Sequence, residues 1–73
     1  MPLAQLKGLT GFLSAEQKRE LIRNVTDAIV SVEGERLRPV TWVIIEEVPS
    51  GDWGVGGRPV TTEALKSMAA QGT

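Results

Sequence analysis

The chain has 73 residues, with 8 Lys and Arg against 9 Asp and Glu, no histidine, no cysteine and a formal net charge of −1. Disulfide staples and the usual zinc sites are thereby excluded, and no metal or other cofactor is expected. There is no basic footprint for nucleic acid and no apolar run long enough to span a membrane. A proton-transfer enzyme built from this chain has only carboxylates, lysines or the N-terminus as its base. No secretory leader is visible, so a cytoplasmic location is expected. Residues 1–73 read as a single domain, too small to bury a self-sufficient core, and self-association is the expected remedy.

Proline follows the initiator methionine directly. Its small size suits removal of Met1, which would make Pro2 an N-terminal secondary amine. In an apolar pocket such an amine is pushed toward its neutral form, because burial disfavours the charged state. A neutral amine is a competent general base.

Pro2 to Lys7 reads as a strand, and Gly8 to Leu13 as a loop with two glycines. Ser14 opens a helix over Ala15 to Val32, with Gln17 at capping-box spacing. Leu21, Ile22, Val25, Ala28, Ile29 and Val32 form its apolar stripe, and Gly34 caps its end. Glu35 to Pro39 is a connection in which Pro39 bars a helix. Val40 to Val48 is a β-branched strand, apolar on both faces at its centre. Pro49 to Gly57, holding four glycines, is a tight hairpin or looped turn. Arg58 to Thr61 adds a short strand. Thr62 then caps a short helix over Glu63 to Ala70, and residues 71–73 are expected to fray.

Strand, helix, strand implies a parallel pair with a right-handed crossover, in an α+β fold. One helix covers one sheet face. The other is left apolar and exposed, which marks an interface. An obligate oligomer follows, with sheets completed between chains.

The segments PLAQL, SAEQKRELIRNVTDAI and VTWVIIEEVPSGDWGVGG, in this order and spacing, resemble the 4-oxalocrotonate tautomerase family of the tautomerase superfamily. The resemblance implies a β-α-β subunit, subunits paired into four-stranded sheets, and usually a hexamer of three such dimers. It implies a keto–enol tautomerase in which Pro2 is the general base. Pro2 would take a proton from the enol of an unsaturated 2-hydroxy acid and return it at a conjugated carbon. Trp53 falls where an aromatic residue walls the family's pocket, and Leu9 and Val48 fall at other apolar pocket positions.

Two departures bear on substrate. The family's well-studied members bind substrate with two arginines, one in the loop before the helix and one on the second strand. Here Phe12 or Leu13 stands at the first place and Trp42 at the second. Donors that stabilise charge on an oxygen are often the largest catalytic contribution. Their loss argues against the family's dicarboxylate and for another enol or α-keto acid. Trp42 as a pocket wall would favour an aromatic or uncharged substrate, although a core or interface role fits it as well. Arg36 and Arg38, just before the second strand, are candidate replacement anion binders, or else solvated loop charges. Lys7 and Arg58 read as surface or interfacial ion-pair residues. Three readings remain open: a homo-oligomeric enzyme, a hetero-oligomer whose partner subunit supplies the arginines, and a non-catalytic ligand-binding or scaffold oligomer.

Overall fold

The computed structural model describes residues 1–71. Strand β1 (Leu3–Leu9) is followed by helix α1 (Ala15–Glu33), a 3₁₀ turn over Glu35–Val40, and strand β2 (Trp42–Val48). A hairpin of β3 (Trp53–Val55) and β4 (Arg58–Val60) then leads into helix α2 (Thr62–Gln71). β1 and β2 pair in parallel, with Leu3 opposite Trp42 and Leu9 opposite Val48. The fold is therefore the expected β-α-β unit with a C-terminal hairpin.

Local chemistry explains each element. Ser14 Oγ accepts the Gln17 N–H at 3.1 Å, and Gln17 Oε1 accepts the Ser14 N–H at 2.9 Å, the reciprocal bonds of a capping box. The loop between β3 and β4 is Gly56-Gly57, with φ of 59° and 82°. Two successive positive φ values define the type I′ turn, whose twist matches that of a hairpin.

Four expectations are corrected. β1 runs through Gly8 to Leu9 rather than ending at Lys7, because β2 supplies ladder partners that far and the Thr10 N–H still reaches the Val48 carbonyl at 2.9 Å. Pro39 lies inside a 3₁₀ turn. Its fixed φ suits that conformation, and so short a turn makes few demands on the missing N–H. In α1, Val30 is buried while Val32 is 86% exposed; two residues on is about 200° round the helix, so the two face nearly opposite ways. Finally, the α2 cap is Thr61, whose Oγ1 accepts the Ala64 N–H at 3.1 Å.

Thr62, freed from capping, is buried and acts as a tether. Its hydroxyl donates to the Thr10 carbonyl at 2.7 Å and its N–H donates to Ser50 Oγ at 3.0 Å. The start of α2 is thereby fixed to the end of β1 and to the loop before the hairpin. Gln71 is the last described residue of α2, and the expectation of fraying for 72–73 lies outside the described residues.

Helix α1 packs on β2 and leaves the opposite sheet face open. Because paired residues of a parallel ladder share a face, that open face carries Leu3, Trp42, Gln5, Ile44, Lys7 and Glu46. Leu3 is 53% and Trp42 55% exposed. Leu9 and Val30, each 5% exposed, are the only buried apolar residues among those described. The protomer exposes 5475 Å², whereas a compact monomer of its mass exposes about 4,400 Å². The excess is comparable to one partner's share of a standard protein interface.

Candidate active site

The positions singled out in the sequence fall into two groups at opposite ends of the sheet. Pro2 is half-buried at the start of β1, and its carbonyl accepts the Trp42 N–H at 2.9 Å. Pro2 and Trp42 are therefore neighbours. Leu9, Val48 and Trp53 gather at the far end. Leu9 and Val48 are register partners, and Trp53 stands over grooves that each of them lines. Six residues of extended chain separate the two ends, about 20 Å. Within one protomer the proline and the apolar walls cannot share a pocket.

The far end carries most of the concave surface. A groove of about 310 Å³ runs between the end of β1, the hairpin and α2, lined by Lys7, Leu9, Trp53, Val60, Leu65 and Met68 among others. Beside it, a shallower depression of about 290 Å³ is lined by Lys7, Val48, Asp52, Trp53 and Gly54. Lys7 and Trp53 line both. The sequence reads Lys7 as a surface or interfacial ion-pair residue and gives Leu65 and Met68 no part. The signal was available for Lys7, which alternates onto the same strand face as Leu9. It was not available for α2, whose placement depends on the long-range Thr62 tether.

The loop before α1 points inward. Phe12 and Leu13 line a small cavity of about 60 Å³ with Ile45, Leu65, Lys18 and Glu47. Lys18 Nζ lies 2.8 Å from Glu47 Oε2. That ion pair, helped by a Gly11 backbone N–H, holds the Glu47 carboxyl below its ordinary value of 4.5 against an opposing desolvation. A depressed carboxylate stabilises the fold above its unfolded-state pKa and ceases to as pH falls through its folded value. Glu47→Gln is therefore expected to lower the urea midpoint at pH 7. The gap to the parent protein should narrow as pH drops below 4.5. A gap independent of pH would mean that the carboxylate charge is not what stabilises the loop.

Of the two candidate anion binders, Arg38 is fully engaged. Its Nε and Nη2 donate to Glu35 and its Nη1 donates to Asp27 at 2.8 Å, which hold the guanidinium protonated more firmly than usual. Binding an anion there would mean displacing two carboxylates. Arg36 is exposed on the 3₁₀ turn and lines none of the three depressions. Among the described residues no group of three or more acidic side chains is arranged to hold a metal ion, and no helix is long and apolar enough to cross a membrane.

The arrangement of a parallel β-α-β unit, a glycine-turned hairpin carrying Trp53 and a proline at the head of β1 agrees with comparisons to known proteins. Residues 2–63 match the family model described as tautomerase enzyme. The chain belongs to the 4-oxalocrotonate tautomerase family. It is 44% identical over 64 residues to the 2-hydroxymuconate tautomerase of Pseudomonas putida, covering 84% of this chain and 94% of that protein. It superposes on a 4-oxalocrotonate tautomerase isozyme from Methylibium petroleiphilum with a TM-score of 0.71, at 38% identity over 88% of this chain and 97% of the other. A heterohexamer 4-oxalocrotonate tautomerase from Chloroflexus aurantiacus gives 0.72 at 34% identity, covering 89% and 98%. The chain is accordingly an isomerase of the tautomerase type. The family match ends at residue 63, so nearly all of α2 lies beyond it.

Proposed function

We propose that the protein is a keto–enol tautomerase in which Pro2, exposed by removal of Met1, is the general base on an enol or α-keto acid. The observation that carries this reading is the half-buried proline at the head of β1, with the family's apolar pocket positions gathered at the far end of the same sheet. The neutral amine takes the proton from the enol oxygen of a bound 2-hydroxy-2-enoate. The electron pair moves through the conjugated system, and the same nitrogen returns the proton to carbon, giving the 2-keto acid. Apolar walls serve this chemistry by excluding water and keeping the amine uncharged.

The separation of about 20 Å between the halves supports assembly across a two-fold axis. Antiparallel association of two sheets brings the Pro2 end of one protomer to the Leu9, Val48 and Trp53 end of the next, and the symmetry makes two such sites at once. The open face with Leu3, Trp42 and Ile44 and the surface excess favour this assembly, extended to a hexamer of three such dimers. A second reading, a hetero-oligomer whose partner subunit of the same fold supplies a cation, is favoured by one observation: Trp42 occupies the strand-two arginine position.

The test is the N-terminus itself. Protein purified with Met1 removed is expected to convert the enol of phenylpyruvate to its keto form, followed by the loss of ultraviolet absorbance. Protein made with methionine aminopeptidase inhibited, and shown by mass to retain Met1, is expected to be inactive. Equal turnover by both forms would overturn the role of Pro2 and favour a binding or scaffold oligomer.

A further inference from the structure

We propose that the groove between β1, the hairpin and α2 selects a monocarboxylate with an apolar arm, Lys7 holding the carboxylate at the rim while Leu9, Trp53, Leu65 and Met68 receive the arm. The proposal rests on the tautomerase reading above and names the substrate class of that site.

The groove of about 310 Å³ is apolar except at one edge, and Lys7 is the one cation that lines either it or the adjoining depression. Lys7 is loosely committed. Its Nζ lies 4.0 Å from Glu46 Oε1, the longest of the ion pairs among the described residues, with both side chains largely in solvent in the protomer. Exposed pairs of this kind contribute little and are readily exchanged. An incoming carboxylate can therefore take the ammonium from Glu46 without uncovering a buried charge. Of the other cations, Lys18 is tied to Glu47 at 2.8 Å and Arg38 to Asp27 and Glu35, while Arg36 and Arg58 line neither depression.

The same geometry disfavours a dianion. A second carboxylate on the substrate would lie in an apolar groove flanked by Asp52 in the neighbouring depression and Glu46 beside Lys7. No second cation lines the groove to offset that repulsion. An aryl or branched alkyl substituent meets Trp53, Val60, Leu65 and Met68, where its burial is favourable. Helix α2 matters most here, since it supplies Leu65 and Met68 and lies beyond the family match.

Two measurements on the intact oligomer test this. In turnover of the phenylpyruvate enol, Lys7→Gln is expected to raise KM about tenfold with kcat little changed, the effect of losing one charge-assisted hydrogen bond at an open rim. Lys7→Arg should restore KM, and Met68→Asp should raise it. The parent protein should prefer this enol to the dicarboxylate 2-hydroxymuconate. In the second measurement, 3-phenylpropanoate is titrated against tryptophan fluorescence. It should bind the parent protein and a Pro2→Ala variant equally, and Lys7→Gln about tenfold more weakly. A parent protein that binds 3-phenylpropanoate but does not turn over the enol would count against Pro2 as base while sustaining the groove. Unchanged KM and unchanged binding in Lys7→Gln would overturn the groove assignment. A fall in native mass on Lys7→Gln would also overturn it, by making a second copy of the chain the occupant.

Discussion

Replacing Pro2 by alanine is expected to cut kcat/KM by about 10²–10⁴-fold, the usual worth of a positioned general base. Alanine at this place still allows Met1 to be removed and still leaves an amine. That amine is primary, free to rotate and not held by a ring, so a residual activity rather than none is anticipated. The structure makes the substitution a clean one. The contact of Pro2 with the sheet is through its backbone carbonyl to the Trp42 N–H, which alanine preserves. Circular dichroism and native mass should therefore match those of the parent. Steady-state turnover of the phenylpyruvate enol is the measurement, and undiminished kcat/KM would sink the mechanism. The loss should also be larger than that of any groove variant, because groove residues hold substrate while Pro2 exchanges the proton.

The second large effect is expected from Ile44→Asp. Ile44 sits mid-strand on the open face, opposite Gln5 and between the two ends that carry the half-sites. In a protomer its exposure makes the substitution tolerable. In an interface it buries an unpaired carboxylate, at a cost on the order of several kcal/mol. The native mass is expected to fall to that of the protomer, and enol turnover to fall with it by at least about 10²-fold, the share that a positioned base supplies. Ile44→Val should leave both unchanged. A protomeric Ile44→Asp variant with full activity would refute assembly of the site from two chains. It would require Pro2 to find an apolar pocket at its own end of the sheet.

Much of this was legible in the chain. The capping box of Ser14 and Gln17, the glycine pair of the hairpin and the apolar centre of β2 each obey local rules, and each forms as those rules require. The stripe of α1 failed at Val32 because periodicity alone does not say where a helix leaves its sheet. Pro39 misled because a rule against helices was applied to a 3₁₀ turn, whose φ proline already has. The cap of α2 was misplaced by one residue, since two consecutive threonines offer the same local chemistry and only the Thr62 bond to Thr10 separates them. At the site, the resemblance named Leu9, Val48 and Trp53 together, and the structure gathers them at one end of the sheet. The resemblance did not reveal that Pro2 lies at one end of the sheet and Leu9, Val48 and Trp53 at the other, because that depends on strand length and register. Lys7 was underrated for a related reason: a cation at a strand end looks like any solvated charge until the hairpin and α2 fold over beside it.

The division of the sheet into a proline end and a groove end has an evolutionary consequence. A duplicated copy of this chain can lose one half-site without losing its place in the assembly. One descendant keeps the amine and lets its groove drift, while its sister keeps the groove and forfeits the amine. Neither loss is silent in isolation, but together they still compose a complete site at each mixed contact. Selection then preserves the pair rather than either gene. Trp42, beside Pro2 and at the place where the family's well-studied members carry an arginine, is the kind of departure that such shared upkeep permits.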